Sequence, residues 1–145
     1  MNKNKYLELT RRQQKEINEF PMFFAFNQKQ FDEGMRTLGL KPTDTKKIYK
    51  LAGTGGFYRK TDAKKLRDMF TRHDKEMADA IAADPTGDGF IYDMFNYELG
   101  NHEYGYTHDP EPALDALGLT MAAIKADPRM FHAWKKATIN QLKYR

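Results

Sequence analysis

Glu98 and His102 stand four residues apart, and Glu103, His108 and Asp109 follow close behind. On a helix that step puts two side chains on one face. A carboxylate and an imidazole held this way can exchange a proton as acid and base. With a further carboxylate they can ligate a divalent metal. Glu98, His102 and Glu103 are thus the basis for reading a small metal-dependent hydrolase or nuclease. The spacing departs from the His-Glu-x-x-His pattern of zincins, and Gly100 lies between the two side chains. A polar helix end running into a loop accounts for the same residues, so no catalytic residue, metal or cofactor is assigned.

The same stretch carries Tyr97, Tyr104 and Tyr106. Tyrosine offers a large contact area at low entropy cost and is enriched at interface hot spots. Neighbouring carboxylates can pair with Arg and Lys of a partner and speed encounter. Tyr97, Glu98, His102, Glu103, Tyr104, Tyr106 and Asp109 are therefore expected to form a partner-binding surface.

Two loops also have chemistry to offer. Asp84-x-Thr86-x-Asp88-Gly89-x-Ile91 is similar to the start of an EF-hand calcium loop, but Phe95 stands where the loop needs a bidentate Glu, so a plain turn is expected. Gly53-Thr54-Gly55-Gly56, ahead of Arg59 and Lys60, could form a backbone nest for an anion. It lacks the Gly-Lys-Ser/Thr ending of a P-loop, and a hairpin turn explains it as well. Residues 28–60 read as a helix, a short turn, a helix and a glycine-turned strand, resembling a helix-turn-helix with a stub of a wing. On that reading Lys46, Lys47 and Lys50 lie on the second helix, and with Arg59 and Lys60 they are the candidate nucleic-acid contacts.

The charge layout decides between these readings. From Glu76 to Ile124 there is no Lys or Arg, yet ten Asp and Glu. Residues 1–75 hold 18 Lys and Arg against 9 Asp and Glu, and residues 125–145 hold 6 against 1. The net charge of +4 hides this basic–acidic–basic order. A central acidic third would repel phosphate, which weakens a purely nucleic-acid-binding reading. The expectation is a non-enzymatic interaction protein, an inhibitor or modulator. Its acidic aromatic surface would dock on a basic, nucleic-acid-handling protein partner, with non-specific nucleic-acid contact by the basic flanks. The hydrolase and the DNA-binding regulator are the alternatives.

The elements that must position these residues are mostly helices. Leu9, Ile17 and Phe20 mark a first polar helix that Pro21 stops. Asn27 and Gln30 form a capping box ahead of Phe31, Met35 and Leu38. Asp44 is expected to cap a short helix carrying Ile48 and Leu51. Thr61 is expected to cap a long helix with Leu66, Met69, Phe70, His73, Met77, Ala80 and Ile81 on one stripe. Further helices follow from about Phe90 to Leu99, after Asp109-Pro110, after Thr120 and after Asp127-Pro128. The last should turn Phe131, Trp134, Thr138 and Leu142 inward. The fold class is mainly α, a single compact helical domain over residues 1–145. A small two-stranded β element is expected at about residues 22–26 and 56–60.

The 145 residues, 40% hydrophobic and 13% aromatic, suffice for one packed core. The longest apolar run, Met22 to Phe26, is far too short to cross a bilayer. The basic N-terminus is not followed by a signal-peptide core, and no cysteine is present, so a cytoplasmic protein is expected.

Four stretches also carry a family resemblance: 24–31 (FAFNQKQF), 53–63 (GTGGFYRKTDA), 87–95 (GDGFIYDMF) and 97–104 (YELGNHEY). They resemble a family of small uncharacterised proteins of Gram-positive gut bacteria and of their phages and mobile elements. The resemblance extends from about Phe20 to Lys136. It carries no functional residue across, but it implies a setting. Genes of this size on mobile DNA often encode regulators, or inhibitors of host defence such as anti-CRISPR proteins.

Overall fold

The structure, a computed structural model, describes residues 4–143. The chain divides into two compact units, Gln14–Lys75 and the pair of segments Met1–Gln13 with Glu76–Arg145. Both boundaries fall within helices, α1 (Lys5–Glu19) and α3 (Ala63–Ala82).

In the unit Gln14–Lys75, Pro21 separates α1 from strand β1 (Met22–Phe24). Helix α2 (Gln28–Thr37) starts as its sequence dictates. Asn27 Oδ1 accepts from the Gln30 backbone N–H at 2.8 Å, and Gln30 Oε1 accepts from the Phe26 N–H at 2.8 Å. This is a capping box whose return bond reaches one residue further out than usual. Strands β2 (Ile48–Leu51) and β3 (Gly56–Arg59) complete an antiparallel sheet of order β1-β3-β2. The pairing of the two expected strands holds, with Phe23 opposite Phe57.

The third strand corrects the sequence reading. The helix expected after Asp44 is a single 3-10 turn, Thr45–Lys47, and the chain then extends into β2. Residues 28–60 therefore do not form a helix-turn-helix. The physical reason lies in the turn: Gly53 and Gly55 take φ +78° and +75°, which closes a hairpin and lets β2 satisfy its backbone groups on β3. Ile48 still packs inward, as a strand residue beside Phe23, Met35, Leu38 and Phe57. Gly34 permits the close approach of α2 to the sheet, since a Cβ there would lie 2.1 Å from the Phe23 ring.

In the other unit, α4 (Phe90–Asn101) is surrounded. Phe90, Ile91, Met94, Phe95 and Leu99 are all buried. Its main neighbour is α8 (Pro128–Lys143), whose Ala133 and Ala137 are fully buried and keep the interface thin. The Phe95 and Trp134 rings meet edge to face at 5.2 Å. Helices α5 (Tyr104–Thr107), α6 (Glu111–Leu117) and α7 (Met121–Ala126) close the core with Ala113, Leu114 and Ile124. Leu142 does not point inward as expected and is 41% exposed. The inner stripe of α8 runs through Met130, Ala133, Trp134 and Ala137 to Gln141, whose Nε2 donates to Asn96 Oδ1 at 2.8 Å. Leu142 sits one helical step off that stripe.

The start of α4 depends on Asp84. One carboxylate accepts four backbone N–H bonds, from Thr86 (3.3 Å), Gly87 (2.9 Å), Gly89 (3.1 Å) and Ile91 (3.0 Å). Asp88 is held by Lys136 Nζ at 2.7 Å and His132 Nε2 at 2.8 Å. Two would-be calcium ligands are thus committed to protein donors, in keeping with a plain turn. Burial pushes the Asp84 carboxyl up, but the four N–H donors together outweigh it and hold it below its ordinary range.

Asp84→Asn should cost about 2–3 kcal/mol at neutral pH, because a single amide oxygen replaces two acceptors for buried donors. Asp84 titrates lower in the folded chain than in the unfolded one. Its contribution is full above the ordinary carboxylate pKa and fades as pH falls through the depressed folded value. Urea unfolding across acid pH should show the gap between wild type and variant narrowing in that window.

Candidate functional site: an acidic cleft

Of the pair behind the alternative hydrolase reading, Glu98 is engaged elsewhere. α4 continues through Gly100, so Glu98 and His102 do share a face, with His102 Nε2 3.9 Å from Glu98 Oε1. Glu98 is only 9% exposed, however, and its Oε2 accepts from the Tyr6 hydroxyl at 2.5 Å. Burial first, and then this bond and the charge of Glu98, raise the Tyr6 phenol far above its ordinary pKa. Glu103 does not join Glu98 and His102 in a group with metal-ligand spacing. Glu98 is a buried structural partner of Tyr6 and not a contact residue, which corrects its place in the expected partner surface.

The rest of that surface divides. Tyr106 is 77% exposed and Tyr97 38%, and Glu103 and Asp109 are also exposed. His102 and Tyr104 are half-buried, and Tyr104 packs on the core. Asp109 Oδ1 accepts from the Glu111 N–H at 3.0 Å, just ahead of α6. Glu103 and His108 hold left-handed backbone, φ 57° and 60°, at the two ends of α5. Non-glycine residues rarely adopt this conformation, and it persists only where neighbouring structure enforces it.

A stronger candidate lies against α1. A cleft of about 1050 Å³ is lined by six carboxylates, those of Glu8, Glu76, Asp79, Asp84, Asp88 and Asp93. Two cations, Lys5 and Arg12, share its wall, and Arg12 lies 3.8 Å from Glu76. Leu9, Ala80, Ala83, Pro85 and Phe90 supply apolar lining. Burial raises the Asp93 carboxyl; the Lys5 backbone N–H works the other way, and the charge of Asp84 adds to the rise. Tyr6 links this cleft to the tyrosine segment, its ring 5.8 Å from Phe90 and 5.9 Å from Tyr97. Sequence reading placed five of the six carboxylates in the acidic block. It missed Glu8, Lys5 and Arg12, because a long-range approach of α1 leaves no local signal.

The expected nucleic-acid contacts lie in the unit Gln14–Lys75. Lys46, Lys47, Lys50 and Lys60 are exposed. Arg59 is not available in the same way: Nε donates to Asp62 Oδ2 at 2.9 Å and Nη1 to the Leu38 carbonyl at 3.3 Å. It ties β3 to the end of α2.

A model of the family of unknown function DUF7659 matches residues 5–140. The chain belongs to this family. No curated protein and no solved structure matches it. Among the described residues no helix is long and apolar enough to cross a membrane.

Tyr6→Phe should lower stability by about 2 kcal/mol, since it leaves the buried Glu98 oxygen without its donor. The folded chain favours the neutral phenol, so that contribution is present below the ordinary tyrosine pKa and lost as pH rises beyond it. Thermal unfolding followed into alkaline pH should show wild type losing stability that the variant never had.

Proposed function

We propose that this chain is a non-enzymatic interaction protein whose acidic cleft receives cationic side chains of a basic, nucleic-acid-handling partner, which it inhibits or modulates. The observation that carries the reading is the cleft's composition, carboxylates around an apolar lining. A Lys or Arg side chain has the matching form, an apolar stem with a charged head. Carboxylates arrayed along a groove compete for the cations that otherwise hold phosphate, and complementary charge also speeds encounter. Exposed Tyr97 and Tyr106 extend the contact with rigid aromatic area. The mobile-element setting implied by the family resemblance suits an inhibitor of this kind, including one directed at host defence. A hydrolase centred on Glu98 is less well supported, because the Tyr6 hydroxyl already occupies its carboxylate.

The test is fluorescence anisotropy with a labelled Arg- and Lys-rich peptide across salt concentrations. Charge reversal of Glu8 and Asp79 together should weaken binding by about tenfold or more and flatten its salt dependence. Reversal of Glu111 and Asp115, outside the cleft, should change it far less. Equal losses from both pairs would show a response to net charge alone and sink the cleft as the site. Binding should also weaken on acidification, starting above the ordinary aspartate range, because Asp93 takes up its proton early.

A further inference from the structure

The outer face of the three-stranded sheet is aromatic where a solvent-facing sheet would ordinarily be polar. Register places Tyr49 opposite Tyr58, and Phe24 opposite Gly56 with Leu51 on the far side of the same glycine. These positions share one face, while Phe23 and Phe57 line the other and pack on α2. Phe24 is 51% exposed and Tyr49 47%. The Tyr49 and Tyr58 rings lie 5.9 Å apart. A Cβ on Gly56 would come within 3.0 Å of the Phe24 ring, so that ring lies over bare backbone.

Cations frame this face. Lys60 Nζ sits 5.0 Å from the centre of the Tyr49 ring. Lys46 and Lys47 lie in the turn that leads into the edge strand β2, while Lys50, opposite Phe57, belongs to the other face. Between Lys41 and Thr61 the sole carboxylate is Asp44. Its Oδ2 accepts from the Lys41 backbone N–H at 2.9 Å and lies 4.0 Å from Lys47 Nζ. Lysines on an edge strand by themselves would serve to block strand-to-strand aggregation. That purpose does not call for exposed rings beside them.

We propose that this sheet face binds single-stranded nucleic acid, with unpaired bases stacking on Tyr49, Tyr58 and Phe24 and phosphates held by Lys46, Lys47 and Lys60. Flat aromatic platforms on a sheet with a positive border are suited to splayed bases, whose π-faces stack without regard to sequence. A duplex keeps its bases inside, and this face presents no helix to enter a groove. The polyanion supplies the charge that the lysines lack on their own surface. The proposal is independent of the acidic cleft, which lies in the other unit and would repel the same ligand.

The experiment uses the full chain and fluorescein-labelled oligothymidylate and oligouridylate of about ten nucleotides, a length in the range of one such platform. A duplex of equal length and vesicles containing an anionic phospholipid are the comparison ligands. Single strands should bind at about 50 mM salt, tighter than duplex, with quenching of tyrosine fluorescence on stacking. Tyr49→Ala should weaken binding by about tenfold and Tyr49→Phe by less than about twofold, since only the ring is needed. The double change Lys46→Gln with Lys47→Gln, on exposed residues outside the core, should reduce the salt slope by about 1.4. Circular dichroism and melting curves should match wild type for each variant. Three results would each overturn the proposal: no binding of either single strand, equal affinity for duplex or vesicles, or binding that Tyr49→Ala leaves unchanged.

Discussion

One carboxylate organises the larger part of this molecule. Asp84 accepts four backbone N–H bonds, and in doing so fixes the point at which α4 begins. A helix start exposes backbone donors and the positive end of the helix dipole, and an anion there answers both. Once α4 starts at Phe90, Ile91, Met94, Phe95 and Leu99 fall into the core and Glu98 meets Tyr6. The same anchoring turn holds Asp88 where Lys136 and His132 reach it, and puts both aspartates on the cleft wall. Fold and candidate site therefore share a single electrostatic origin.

Seen from that anchor, the Lys- and Arg-free block from Glu76 to Ile124 is not one acidic surface. Asp84 and Asp109 accept backbone N–H bonds near the starts of α4 and α6, Asp88 is in an ion pair, and Glu98 is in a buried hydrogen bond. Beside α1, Glu8 joins Glu76, Asp79 and Asp93 on the cleft wall, and Glu76 there is itself paired with Arg12 and accepts from Gln13. A cation introduced between Glu76 and Ile124 would compete for these engagements. The absence of Lys and Arg there protects specific bonds as much as it creates an acidic field.

Much of the fold was legible because its signals were local. Asn27 with Gln30, Thr120, and Asp127 before Pro128 all announced helix starts that the structure contains. The apolar stripe of α4 and the pairing of residues 22–26 with 56–60 could also be read. The segment after Asp44 could not, since Ile48 and Leu51 are three apart and fit a helix as well as a strand edge. Only pairing with β3 decides between them, and pairing is a long-range event. The same limit governs the sites. Read from sequence, α4 ends at about Leu99, short of His102, and nothing near Glu98 reveals Tyr6, which lies 92 residues away. The outer sheet face went unread for a related reason, as Tyr49 and Tyr58 become neighbours only when the hairpin closes.

The short helix α5 has a consequence for how this chain can vary. Its single turn is held between Glu103 and His108, both in left-handed backbone. Adding one residue between them would move a tyrosine or threonine into a conformation that its side chain resists. The loop therefore resists lengthening even though its tip, at Tyr106, is exposed. Glycine is tolerated at either end of the turn on conformational grounds, whereas within it Tyr104 is tied to the core and the Thr107 hydroxyl to the Asp109 N–H.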